Sequence, residues 1–129
     1  MKTRHWTALL LLVSLNANAE WTYVEGSDEY ERYIQLETVI RDGQRAQIWE
    51  IDDFAKPDEK GMQSMLSRTE YDCTERNYRI LYLSGHSDHM TKGETLFGVQ
   101  LDGDWKPVQA NTLGELSMDL ACEEGAPSH

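Results

Sequence analysis

Apolar and polar residues alternate over much of the chain from residue 21 onward, and this alternation is typical of strands that bury one face. Residues 21–26 predict a first short strand, which Gly26 and the polar residues after it would end. The region is therefore predicted to be mainly β-structure.

A longer alternation follows and predicts a hairpin. Its apolar or β-branched positions stand two apart, at Ile34, Leu36, Thr38 and Ile40. The Asp42-Gly43 pair then supplies residues that tolerate the positive φ of a tight turn, and residues 46–54 resume an extended pattern. We predict two antiparallel strands joined at this turn.

Three more strands are expected farther along the chain. Residues 55–63 lack periodicity and predict a loop, and residues 64–73 and 76–85 predict a second hairpin that breaks at Thr74-Glu75. The polar, glycine-bounded residues 85–94 predict another loop. Residues 95–100 predict the sixth strand, which is followed by a turn at Asp102-Gly103.

The last element has a helical pattern instead. Leu113, Leu116 and Leu120 stand at i, i+3 and i+7, and Thr112 and Glu115 have the spacing of a capping box. The predicted fold class is therefore α+β: a single twisted antiparallel sheet of about six strands, with one C-terminal helix packed on a face.

Residues 1–19 predict a secretory signal peptide, since Lys2 and Arg4 precede a short apolar run with small residues at its end. Cleavage is expected between Ala19 and Glu20. Residues 20–122 would then form one domain, and residues 123–129 a disordered tail. The expected product is exported and soluble, without a membrane span because no other long apolar run follows, and without a lipid anchor because no cysteine lies near the cleavage point.

The two cysteines of the chain, Cys73 and Cys122, predict a disulfide. An exported chain meets an oxidising compartment, and the acidic neighbours Glu70 and Asp72 would disfavour a reactive thiolate at Cys73. The cysteines do not form a C-x-x-C redox motif. The predicted bond would tie the helix to the sheet and add about 4 kcal/mol of stability in the chain-entropy model.

Composition and motifs argue against several classes of function. The chain has 12 basic and 23 acidic side chains, a formal net charge of −11, which disfavours binding to nucleic acid and to anionic lipid. It has no G-x-S-x-G, phosphate-loop, H-E-x-x-H or G-x-G-x-x-G motif. We therefore predict a protein that is not an enzyme and holds no cofactor.

Two features could serve binding. His86 and His89 flank Asp88 and are candidate ligands for Zn²⁺ or Cu²⁺, although a tetrahedral site needs a further ligand that this motif does not supply. On the strand of residues 76–85, alternation would place Tyr78 and Tyr82 on one side, with Leu81 and Leu83 on the other. Because one helix cannot cover both faces of the sheet, Tyr78 and Tyr82 mark a candidate binding face.

Several segments together resemble the surface-adhesin protein E family of small exported proteobacterial proteins. They are Trp21, residues 37–51 with Trp49, Ser64, residues 70–85 around Cys73, the turn of residues 89–94 with Gly93, residues 105–108, and Cys122. The resemblance implies a twisted antiparallel sheet with a C-terminal helix held by a disulfide. It also implies a role in adhesion, since the family takes its name from a lipoprotein that binds host extracellular matrix and plasma proteins.

The sequence thus predicts a non-enzymatic, periplasmic or secreted domain that binds a protein partner in the cell envelope or in the host extracellular matrix. The alternative is a periplasmic protein that binds a small ligand or a metal ion.

Overall fold

The computed structural model describes residues 20–124. The predicted signal peptide, with Ala19 on one side of its cleavage point, and residues 125–129 of the predicted tail lie outside this range. The described part contains eight strands and one α-helix: β1 (Thr22–Gly26), β2 (Tyr30–Ile34), β3 (Ile40–Asp42), β4 (Arg45–Phe54), β5 (Ser64–Asp72), β6 (Asn77–His86), β7 (Thr95–Gln100), β8 (Lys106–Pro107) and α1 (Leu113–Glu124).

All strands belong to one open antiparallel sheet. The order across the sheet is β1-β2-β4-β5-β6-β7, while the short strands β3 and β8 pair with the first halves of β4 and β6. This confirms the predicted α+β class, with a single antiparallel sheet and one C-terminal helix. Within residues 20–124 no helix has the length and apolar character needed to cross a membrane.

The predicted hairpin over residues 34–54 is interrupted in its first strand. A 3-10 turn at Leu36–Thr38 separates β2 from β3, so the continuous alternation from Ile34 to Ile40 was misread as one strand. The Thr38 hydroxyl donates to the Gln35 carbonyl at 2.9 Å, and this local bond competes with extended pairing. The tight turn after Asp42 is present, with Gly43 at a φ of +63°.

The hydrophobic core lies between α1 and one face of the sheet, called here the helix face. Its buried members come from β2, β4, β5 and α1, and are Ile34, Ala46, Ile48, Tyr71, Met118 and Ala121. The predicted stripe of α1 is wrong at Leu116, which is 40% exposed, whereas Ser117 and Ala121 are fully buried. Small side chains at these two positions let the helix backbone approach the sheet closely, so the buried face is rotated away from Leu116.

The start of α1 has the predicted capping residues in a modified arrangement. Thr112 Oγ1 accepts from the Glu115 backbone N–H at 3.3 Å, and the Glu115 carboxylate accepts from the Asn111 N–H at 2.9 Å instead of that of Thr112. At its other end the helix continues to Glu124. Residues 123 and 124, assigned to the disordered tail from the sequence, are therefore helical.

A disulfide between Cys73 and Cys122 ties this end of α1 to the sheet, as predicted, with the two Cα atoms 5.9 Å apart. The Cys73 N–H donates to the Gln44 carbonyl, and Arg41 donates to the Cys122 carbonyl at 2.8 Å. The disulfide thus joins the β5–β6 turn to the end of the helix, and the two hydrogen bonds connect these segments to the β3–β4 turn and to β3.

A β-bulge at Leu81 divides β6. Ile80 pairs with Thr69 and Tyr82 pairs with Arg68, which leaves Leu81 without a partner in β5. The Leu81 carbonyl instead accepts from the Leu101 N–H at 2.8 Å. Beyond the bulge, the side chains of β6 point to the opposite faces from those that simple alternation assigns.

Candidate functional site

The bulge separates the two tyrosines of the candidate binding face. Tyr78 pairs with Tyr71 and packs against the core on the helix face. Tyr82 pairs with Arg68, and its ring meets that of Trp49 edge to face at a centroid distance of 6.0 Å on the opposite face, called here the open face. The expectation that both tyrosines share a surface was wrong, because alternation fails at Leu81. A binding role for either tyrosine stays a prediction.

Arginine and aromatic side chains alternate across the open face. We call this set the arginine–aromatic surface: Arg45, Trp49, Arg68, Arg79, Tyr82 and Trp105. The Arg68 guanidinium lies over the Trp49 ring at 5.1 Å, next to the contact between Trp49 and Tyr82. Helix α1 does not cover this surface, because it packs on the helix face.

Trp105 contacts two arginines at one side of the surface. The guanidinium carbon of Arg79 lies 4.7 Å from the centre of its ring, and that of Arg45 lies 5.2 Å away. Buried Glu70 accepts from Arg79 at 2.8 Å. Gln47 accepts from Arg68 Nε at 3.3 Å. These hydrogen bonds orient Arg68 and Arg79 before any partner arrives, which lowers the entropic cost of binding, and among the described residues Nη1 of Arg68 is buried without a hydrogen-bond partner.

Loops cover both ends of the open face. At one end, Asp53 accepts from the Met90 N–H at 3.0 Å, and Ser64 accepts from the Thr91 N–H at 2.8 Å. At the other end, Gly103 packs so closely on the backbone of Ile80 that a β-carbon there would clash. Between these loops Trp49 and Tyr82 are half-buried, and on the same face Arg45 on β4 and Tyr23 on β1 are exposed.

The two candidate metal ligands face different partners. His86 ends β6 and is buried, with Nε2 bonded to Ser84 at 2.8 Å. Burial lowers the pKa of this imidazole below its ordinary value. His89 lies in the following loop, exposed, with Nδ1 at 3.2 Å from the Asp53 carboxylate. Within residues 20–124 no group of three or more His, Cys, Asp or Glu side chains is placed to hold a metal ion. The metal alternative stays a prediction.

On the helix face, a buried charged cluster lies beside the core. Arg32 forms a two-pronged ion pair with Asp52, at 2.8 and 3.1 Å. Glu50 is 4% exposed and accepts hydrogen bonds from the hydroxyls of Thr69 and Tyr71. We call Arg32, Glu50, Asp52, Thr69 and Tyr71 the polar floor.

Charges in the polar floor shift two pKa values. Burial opposes the charged form of Arg32, but the charge of Glu50 and the hydrogen bond and charge of Asp52 outweigh it and raise the pKa of Arg32. Burial, followed by the charge of Glu50, raises the pKa of Tyr71 well above its ordinary value. The guanidinium stays charged and the phenol stays a hydrogen-bond donor across the physiological range.

The sequence interpretation missed both the arginines of the open face and the polar floor. A signal for the polar floor is present in β4, where Glu50 and Asp52 continue the alternation of the core residues Ala46 and Ile48. Charged residues at positions that should face a core indicate either a buried ion pair or a site. For the arginines, only their pairing across β4, β5 and β6 brings them together.

These features define a small α+β domain in which one disulfide ties the helix to an open sheet. The model of the surface-adhesin protein E family matches residues 21–123, and the chain belongs to this family. A comparison with curated protein sequences finds no significant match.

Solved structures of protein E from Haemophilus influenzae have a similar fold. One shares 12% sequence identity at a TM-score of 0.61 and covers 86% of this chain and 92% of that chain. A selenomethionine form shares 11% identity at a TM-score of 0.62, covering 82% and 89%. A second crystal form shares 11% identity at a TM-score of 0.58, covering 83% and 97%. These matches show the fold alone, and membership of the family suggests an exported, non-enzymatic surface adhesin that binds other proteins.

Proposed function

We propose that this chain is a non-enzymatic, periplasmic or secreted protein that binds a protein partner through the arginine–aromatic surface, as part of an adhesive interaction. The partner would belong to the cell envelope or to the host extracellular matrix. Membership in an adhesin family supports the class of function.

The observation that carries the proposal is the composition of the open face. Tryptophan, tyrosine and arginine are the residues that most often dominate the binding energy of protein interfaces. Here Trp49, Tyr82 and Arg68 lie in mutual contact at the centre of a face that the helix does not cover. Their contacts already hold them in place, so ordering them on binding costs little.

Charge supports the choice of this surface. The surface carries three guanidinium groups. Among the described residues two carboxylates act on them: Glu70 forms an ion pair with Arg79, and Asp72 pairs across the strands with Arg45, close enough for the two charges to interact. The chain as a whole is strongly acidic, with a net charge of −11. A locally basic and aromatic area on an acidic molecule can orient an approaching partner with acidic groups.

The test is capture of partners by the immobilised domain from envelope extracts and from purified host matrix proteins. We expect a partner that the native domain binds and that Arg68→Glu or Trp49→Ala binds at least about tenfold more weakly, as for central residues of an interface. Thermal unfolding of each variant shows whether the domain is still folded.

Two exposed residues away from this surface provide matched controls. Phe97→Ala removes an aromatic side chain that is 44% exposed on the helix face of β7, and Lys56→Glu reverses an exposed charge in the β4–β5 loop. Both should capture the partner normally. Equal losses in these variants, or no capture from either source by the folded native domain, would contradict the proposal.

Export is a separate part of the proposal, with cleavage between Ala19 and Glu20. N-terminal sequencing of the protein recovered from the periplasm or the medium should begin at Glu20. Recovery of uncleaved protein from the cytoplasm alone would count against it.

A further inference from the structure

A cleft of about 540 Å³ opens on the helix face beside the N-terminal end of α1. Its base is the polar floor. One wall is formed by residues 106–109 and 112–114, and the apolar side chains of Met65, Ile80 and Leu83 line the sheet side. The size lies in the range of sites for small organic ligands.

Arg32 is unsuited to recognise an anion in this cleft. Its Nε and Nη2 atoms already donate to Asp52, and Nη1 lies 3.5 Å from Ser117 Oγ. An anionic ligand would therefore compete with an existing ion pair. At the base of the cleft it would also be repelled by two carboxylates, Glu50 and Asp52, and attracted by only one guanidinium.

The carboxylates, by contrast, have acceptor capacity to spare. An ionised carboxylate can accept about four hydrogen bonds. Among the described residues Glu50 accepts two, from Thr69 and Tyr71, and Asp52 accepts two, both from Arg32. The Asp52 side chain keeps 14% of its surface exposed, so an incoming donor can reach it.

The walls suit an apolar body with a positive end. The rings of Tyr30 and Tyr78 line the cleft, and a cation near the face of a tyrosine ring is attracted by its electrons. Lys106 is the other basic residue of the lining, and it is exposed at the rim. Its charge should weaken binding of a second cation.

We propose that this cleft binds an amphipathic organic cation, whose protonated amine donates to Asp52 and Glu50 and whose apolar body packs on the tyrosine and aliphatic walls. The site lies on the opposite face of the sheet from the arginine–aromatic surface and goes beyond the proposed protein-binding function.

Three probes with the same indole body and different charge test the proposal. They are tryptamine, the neutral alcohol tryptophol and the anion indole-3-propionate, each titrated into the oxidised domain by calorimetry near pH 7. We expect saturable binding of tryptamine, binding of tryptophol weaker by about tenfold or more, and none of the anion. Backbone amide shifts should map tryptamine to the neighbourhood of Met65 and Leu83.

Matched variants separate this site from general attraction of cations to an acidic protein. Asp52→Asn should weaken tryptamine binding more than Asp102→Asn, which removes an exposed carboxylate outside the cleft. Lys106→Gln should strengthen it about two- to threefold, the effect of a nearby unit charge in water, while Lys56→Gln should not.

The comparison of Lys106→Gln with Lys56→Gln still tests the proposal if Asp52→Asn fails to fold, since both lysines are exposed and their replacement should not disturb folding. Equal affinities for tryptamine and tryptophol, amide shifts outside the cleft, or the same effect from both lysine variants would overturn the proposal. Because the arginine–aromatic variants Arg68→Glu and Trp49→Ala leave the cleft intact, failure here is distinguishable from failure of the protein-binding function.

Discussion

Glu50 and Asp52 stand on the helix face of β4, in line with the fully buried Ala46 and Ile48. Buried carboxylates are costly unless hydrogen-bonded or paired, and both are: Glu50 by two hydroxyl groups and Asp52 by Arg32. At this scale the fold depends on complete hydrogen bonding, since removing one partner leaves a largely buried charge with fewer donors to compensate for its lost hydration.

Replacing Tyr71 by phenylalanine should lower the free energy of unfolding by about 1 to 3 kcal/mol, because Glu50 would lose a buried hydrogen-bond donor. Urea denaturation measures the change. Tyr23→Phe, which alters an exposed tyrosine, should change it by less than about 0.5 kcal/mol. A Tyr71→Phe variant as stable as the native domain would show that the bond to Glu50 does not contribute.

His86 should make stability depend on pH. Burial lowers its pKa in the folded chain, so the unfolded chain binds this proton at higher pH. The contribution of His86 is therefore fully present above its ordinary value of about 6.5 and decreases as the pH falls through that value.

Denaturation at several pH values, with native domain and His86→Gln compared, measures this effect. The difference in unfolding free energy between the two should move in favour of the variant between about pH 7 and pH 5. A difference that is constant over this range would refute the expectation.

At the scale of elements, local patterns were sufficient where the signal is local. Strand β7 was predicted with the bounds that the structure shows, and the turn residue Gly43 and the capping residue Thr112 were placed correctly. Each depends on a feature of a few neighbouring residues. For β7 it is alternation, for Gly43 a positive φ, and for Thr112 a hydroxyl three residues before an N–H.

Signals that depend on contacts between distant segments were missed. The run Ile80-Leu81-Tyr82-Leu83 is apolar or aromatic at every position, so nothing in it marks Leu81 as the bulge. The helix stripe was read from its leucines, whereas close approach to the sheet selects Ser117 and Ala121. The Arg32–Asp52 pair joins two strands across the sheet and has no local pattern.

The disulfide is the element-scale contribution that is simplest to test. The two cysteines are 49 residues apart, so reduction, or a paired Cys73→Ser and Cys122→Ser change, should lower the unfolding free energy by about 4 kcal/mol. Thiol titration of the oxidised, denatured domain should find no free thiol before reduction and two afterwards. Unchanged stability after reduction would contradict the assigned contribution.

Across the whole molecule, the sheet separates two chemically different surfaces. The open face gathers Arg45, Arg68 and Arg79 around tryptophan rings, and the helix face keeps two carboxylates at the base of the cleft. The strands of the sheet separate them.

The two surfaces should therefore act independently. Arg68→Glu should leave the affinity for tryptamine within about twofold of the native value, and saturating tryptamine should leave partner capture unchanged. Calorimetry and the capture assay measure the two effects. Mutual interference larger than this would show that both ligands contact one connected region.

The bulge at Leu81 also determines what an insertion or deletion can do to this chain. A substitution in β6 changes one side chain on one surface. Loss of the single residue Leu81 would remove the bulge and place Tyr82 directly after Ile80, so regular alternation would keep Tyr82 opposite Arg68 on the open face and Leu83 opposite Ser67 on the helix face. Relatives that are one residue shorter at this point are thus expected to present the same two surfaces, with a regular strand in place of the bulge.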